Sequence, residues 1–344
     1  MVSNKSWVGV AAFCVAAALI VGCGGGGGVA ATSGGGATAG STAGSTAGST
    51  AGSTSGSTSG APAFQIVVAD QGNDRLASMT DMGGSNWATH ATGISGGVSP
   101  VAIARDSSKR LYYVNPSGNA VVRMDTIAAA NRVNFGSFGA GVFAEFTTPA
   151  AISVAPNGTI FICDTGKRRI TGMSDMTGAS WSVLDLVGYS FEGGAIATDS
   201  SNRIYSLNPT SGWLMRWDDL SGAGIAGFAW SPTSLTFFTL PQGVKVGPDG
   251  KIYVVDTGGD RIVRMDNLSG VGTRALGTTG AGNGQFNGPQ GLDIDAAGRI
   301  YVADTGNNRI VRIDNMNGDN WVAIGATGSG NGQFNRPTSV IVVE

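Results

Sequence analysis

Histidine is nearly missing from this chain of 344 residues, where His90 stands alone. One imidazole cannot furnish a multi-histidine metal site or an acid/base set. Glutamate occurs only at 145, 192 and 344, so Glu-rich helices are not expected. The other acidic residues are Asp, whose short side chain caps nearby backbone N–H groups and favours turns. Charged residues make up 13 % of the chain, with a formal charge of -2 and a pI of about 5.4. No basic field is present to attract nucleic acid.

Glycine, by contrast, is abundant, with 57 copies split between a low-complexity tail and repeated turns. Residues 1–22 carry Lys5, then an apolar run from Trp7 to Val21. A positive start, a short apolar segment and small residues before a cut read as an export signal and not as a spanning helix, which needs about 20 apolar residues. Ile20-Val21-Gly22-Cys23 resembles a bacterial lipobox, which implies that the Cys23 thiol is acylated and becomes the new N-terminus. Gly24 in place of Asp, by resemblance to lipoprotein sorting in two-membrane bacteria, implies a cell-envelope protein at the outer membrane. With Cys14 lost in the signal and Cys23 acylated, Cys163 has no disulfide partner within the chain.

Residues 23–63 are Gly, Ser, Thr and Ala with an AGST repeat from Ala39, a composition that buries too little apolar surface to offset its ordering entropy. The expectation is a disordered tether with a root-mean-square span of about 31–37 Å.

From residue 64 to 344 one unit recurs, clearest in PQGLDIDAAGRIYVADTGNNRIVRID at Pro289 to Asp314. Apolar residues alternate through Leu292 and Ile294 and again through Ile300 and Val302, the period of β-strands. The position of Asp304 recurs at Asp70, Asn115, Asp164, Asn208 and Asp256, at intervals of 45, 49, 44, 48 and 48 residues. Several strands per unit at that period signal a propeller or array. Phe146, Phe191, Phe238, Phe286 and Phe334 mark the same register. Pro149, Pro241, Pro289 and Pro337 follow three residues later and open a strand where the missing N–H costs no ladder bond. Six units are present, yet the first lacks an opening strand and the chain ends on an extra one, Thr338 to Val343. Pairing of that strand with Gln65 to Asp70 closes the ring and leaves no exposed edge. The expected fold class is all-β, a six-bladed propeller of four-stranded antiparallel blades closed by the C-terminal strand.

These units resemble NHL repeats, YVADTGNNRIVRID being close to that family's central pattern. The resemblance implies the fold strongly and the function weakly, since the family includes scaffold, sensor, RNA-binding and enzymatic members. Enzymes of similar fold, such as the peptidylglycine-type amidating lyase and the streptogramin lyase, use several histidines. A gluconolactonase-like site would draw on carboxylates and Asn around the channel, for which Glu145, Glu192, Asn115 and Asn208 are the candidates.

Asp70, Asp164, Asp256 and Asp304 each precede an Arg by five residues, at Arg75, Arg169, Arg261 and Arg309. Asn115 and Asn208 have Ala120 and Trp213 there, so both charges vanish together. Each Asp is therefore expected to cap its turn and pair with its Arg. Those four Arg residues, with Gln285, Asn287, Gln333 and Asn335 of the Phe-to-Pro loops, form the expected ligand face. Asp-Thr-Gly at 164, 256 and 304 invites an aspartic-protease reading, which the adjacent Arg residues oppose because they keep each carboxylate ionised. Gly280 to Gly284 and Gly328 to Gly332 lack the βαβ setting of a phosphate loop. Asp293 and Asp295 lack the rest of a calcium loop. Lys245 and Asp293 are expected to pair between blades five and six, Trp87, Trp181 and Trp321 to pack between sheets, and Cys163 to be core.

The sequence thus describes a membrane-tethered extracytoplasmic head that binds protein, peptide or glycan. It is monomeric, with no metal, no cofactor and no nucleic-acid partner. The alternative is a metal-dependent lactonase or lyase at the channel mouth.

Overall fold

The computed structural model describes residues 64–92, 99–128, 130–136, 146–187, 194–228 and 238–344. The expected export signal, Cys23 and the tether lie outside these residues, as do Glu145, Phe191 and Glu192.

Six four-stranded antiparallel sheets follow one another along the chain. In the sixth blade the strands run outward in sequence order, Gly291–Ile294, Ile300–Asp304, Arg309–Ile313 and Val322–Ile324. The first blade breaks that order as expected. Its innermost strand is Pro337–Val343, placed beside Gln65–Asp70 with Val342 opposite Ile66 and Val340 opposite Val68.

Burial explains why the second strands read as nearly continuous apolar runs. In IYVAD of blade 6, Ile300 and Val302 pack with Tyr253 and Val255 of blade 5, while Tyr301 and Ala303 pack with Ile66 and Val340 of blade 1. Both faces of the sheet meet a neighbouring blade, so both need apolar side chains. The buried residues fall into clusters that each straddle two adjacent blades, including one between the last and the first. Each buried Val or Ile contributes about 1.5–3 kcal/mol by leaving water. Trp87, Trp181 and Trp321 join these clusters, their rings 5.2, 5.6 and 5.1 Å from Phe334, Phe146 and Phe286.

Candidate functional site

In blades 1, 3, 5 and 6 the second strand ends on a fully buried carboxylate, Asp70, Asp164, Asp256 or Asp304. One 3-10 turn follows, and a left-handed residue, Asp74, Arg168, Asp260 or Asn308, returns the chain into the third strand. The Nε of Arg75, Arg169, Arg261 and Arg309 lies 2.7, 2.8, 2.7 and 2.7 Å from the Oδ2 of its Asp. Capping of the turn by that Asp, expected from sequence, is not found. The other oxygen, Oδ1, accepts the backbone N–H of the loop that leads into the same blade, from Asn335, Thr147, Thr239 and Asn287 at 2.7, 2.6, 2.5 and 2.8 Å. A loop N–H with no ladder partner must find an acceptor when buried, and an ionised carboxylate is the strongest one within reach. Burial pushes Asp164 and Asp256 above the ordinary carboxylate value, against the pull of the loop N–H and the Arg.

The two residues after each Asp complete a staple. Gly72, Gly166, Gly258 and Gly306 donate N–H to the carbonyl of that same loop residue at 2.7, 2.8, 2.7 and 2.8 Å. A Cβ on Gly306 would stand 2.6 Å from the Asn287 carbonyl oxygen, so close approach demands glycine here. Thr257 and Thr305 donate their hydroxyls forward to the carbonyls of Pro289 and Pro337, 2.6 and 2.7 Å away, where the next blade opens. Asp-Thr-Gly is thus an interblade fastening, and each of its carboxylates faces its own Arg instead of a second carboxylate.

The same face holds the side chains expected to meet a ligand, and most of their polar atoms are turned inward. Arg75 donates to the carbonyls of Ser329 and Gln333 at 2.6 and 2.9 Å, and Arg309 to those of Ala281 and Gln285 at 2.5 and 2.9 Å. Gln285 and Gln333 accept the N–H of Gly282 and Gly330 through Oε1, and Asn335 donates to the Gly72 carbonyl. Asn287 is exposed. Asn115 and Asn208 are buried and fold back on their own turns, where Asn115 accepts from Gly118 and Asn208 from Thr210 and Ser211.

On the opposite face a second motif escaped the sequence reading. Asp106, Asp199 and Asp295 close the turn between first and second strands and bind the Nε of Arg110, Arg203 and Arg299, each at 2.6 Å. Tyr112, Tyr205 and Tyr301 donate their hydroxyls to the same carboxylates at 3.0, 3.1 and 3.3 Å. The signal was present as Asp-x-x-x-Arg-x-Tyr in DSSKRLY, DSSNRIY and DAAGRIY.

Between the faces runs a channel of about 1260 Å³ lined by the six innermost strands. Lys245 Nζ lies 2.7 Å from Asp293 Oδ1, and Asp293 Oδ2 accepts the N–H of Val342 at 2.9 Å, which joins blades 5, 6 and 1. His90 lies on the outermost strand of blade 1, Ala88–Ala91, away from the channel. Cys163 is buried, and that burial pushes its thiol up to about 12. Among the described residues no three His, Cys, Asp or Glu side chains gather as a metal site.

The NHL repeat family model matches residues 286–313, the lead-in loop and first three strands of blade 6. No curated protein matches the chain by sequence. Solved structures match in fold. A catalytically inactive histidine-to-alanine variant of virginiamycin B lyase from Staphylococcus aureus, with quinupristin, is 17% identical over 72% of this chain and 77% of that one, with a TM-score of 0.53. The nidogen/laminin complex gives 15% identity, 82% and 98% coverage and a TM-score of 0.61. A protein of unknown function from Bacteroides caccae gives 13%, 81%, 98% and 0.58. What these likenesses establish is a six-bladed β-propeller with an NHL repeat in its sixth blade.

Proposed function

We propose that this propeller is the binding head of an exported lipoprotein, held at the envelope by acylated Cys23 and a Gly/Ser/Thr/Ala tether, and that it takes a protein, peptide or glycan. The distribution of titratable groups carries this reading over the lactonase or lyase alternative. Among the described residues the acidic side chains along the channel, Asp106, Asp199 and Asp295, are each bound by an Arg, and Glu344 accepts the N–H of Ala296. No imidazole stands with them, because His90 is on an outermost strand. Paired carboxylates of this kind stay ionised and serve poorly as proton donors or metal ligands. Asn287 and Arg336, exposed on the face of the lead-in loops, are the side chains best placed to meet a partner.

The anchor is tested by metabolic palmitate labelling and membrane fractionation of the full chain against Cys23→Ser. The reading expects label and membrane retention only with Cys23, and retention by the Ser variant would refute it. Binding is tested on arrays of envelope peptides and glycans with the wild type and an Asn287→Ala/Arg336→Ala double variant. A tenfold or greater loss of capture supports this face, and equal capture removes it. Turnover of a lactone or cyclic depsipeptide by the wild type would favour the enzymatic reading.

A further inference from the structure

The innermost strands place one residue of each blade opposite the second-strand residue that stands four before the strand-ending Asp or Asn, namely Ile66, Leu111, Ile160, Ile204, Ile252 and Ile300. That ring consists of Val342, Arg105, Val154, Thr198, Val246 and Ile294. Five of the six are β-branched, as a position wedged between neighbouring blades requires. Arg105 is the exception. It shares a strand face with Ile103, which packs against Ile341 and Val343 of blade 1, and it lines the channel. Its side chain is only partly exposed, and its Nε is buried without a hydrogen-bond partner.

Every other cation along that wall near the opposite face is matched. Lys245 has Asp293 at 2.7 Å and Arg203 has Asp199 at 2.6 Å. Arg105 forms no ion pair with any described residue. A guanidinium whose Nε is buried without an acceptor is costly, and a planar oxyanion offers it two parallel hydrogen bonds.

We propose that Arg105 is the anchor of an anion site within the channel, and that its ligand is a monocarboxylate carried on a group slender enough to enter. Deepening the binding reading above, it rests on the propeller being a binding head and not on the membrane anchor. A monocarboxylate fits better than a dianionic phosphate because Asp106, Asp199, Asp295 and Glu344 stand along the same end of the channel and the chain is acidic overall.

The test uses the detergent-solubilised full chain, with acetate and inorganic phosphate as probes and chloride holding ionic strength constant. Ligand that binds only the folded state raises Tm in a saturable way, here by about 3 °C at saturating acetate. Arg105→Met, which takes the only charge out of this ring, is expected to melt higher than wild type without anion and to lose the saturable acetate response. In parallel, acetate is expected to protect Arg105 of the wild type from phenylglyoxal, read by peptide mass spectrometry, which remains decisive if the Met variant does not fold. Identical acetate curves for both proteins, or no protection, would overturn the site, while the array result above stands or falls separately. A larger shift with phosphate than with acetate would overturn the monocarboxylate assignment.

Discussion

Thr305 donates its hydroxyl to the carbonyl of Pro337 across 2.7 Å, so the sixth blade grips the first residue of the strand that closes the ring. The neighbouring Asp304 and Gly306 hold Asn287, in the loop leading into their own blade, by its N–H and its carbonyl. Three consecutive residues therefore fasten one blade to the chain entering it and to the blade that follows.

Thr305→Val removes one buried hydrogen bond and is expected to lower stability by about 1 kcal/mol. Gly306→Ala drives a methyl toward a backbone oxygen 2.6 Å away and is expected to cost about 2 kcal/mol. Denaturant unfolding checks both. A Gly306→Ala protein as stable as wild type would show that close approach does not dictate the glycine.

Arg309→Met leaves the fully buried Asp304 without its cation and is expected to cost about 3 kcal/mol. Arg312 reaches Asp314 at 3.7 Å with both side chains partly in water, so Arg312→Met is expected to change stability by less than about 0.5 kcal/mol. Equal losses in the two variants would contradict the distinction between a buried fastening and a surface pair.

Lys245→Met is expected to destabilise the head more than Lys251→Met. The partner of Lys245, Asp293, is almost wholly buried, whereas Lys251 and Asp266 are both about one-third exposed. Thermal melting of the two variants side by side decides it, and a larger loss for Lys251→Met would argue against the three-blade link through Asp293.

Burial pushes the phenols of Tyr112, Tyr113, Tyr253 and Tyr301 up to about 12. Unfolded Tyr titrates near 10. Between those values the folded state holds the protons the unfolded state releases, so stability is full below about pH 10 and falls as pH rises toward 12. Alkaline denaturation followed by circular dichroism should show that loss. The Cys163 thiol, likewise raised to about 12, should resist iodoacetamide at pH 8 until the protein is unfolded.

The architecture was legible because it is written locally. The Asp-to-Arg spacing of five residues spans one turn, and the surplus strand at the end answers the missing one at the beginning. The destination of the second carboxylate oxygen was not legible. Asp164 reaches Thr147 and Asp70 reaches Asn335, contacts 17 and 265 residues apart that no local pattern encodes. For the same reason the sequence pairs Arg75 and Arg309 with their Asp residues and places them on a ligand face, but does not show the loop carbonyls, 254 and 28 residues away, that engage them. Arg105 was visible as an Arg, but its oddity appears only when the strands are aligned by pairing into a ring.

The ring is closed by the C-terminal strand completing the first blade. Deleting Thr338 to Glu344 and following unfolding by circular dichroism tests this most directly. Loss of the cooperative transition, regained on adding a peptide of sequence TSVIVVE, is the predicted result, because the deletion strips Val340, Ile341, Val342 and Val343 from two blade interfaces. A truncated chain that still unfolds in one sharp transition at the full-length midpoint would contradict it.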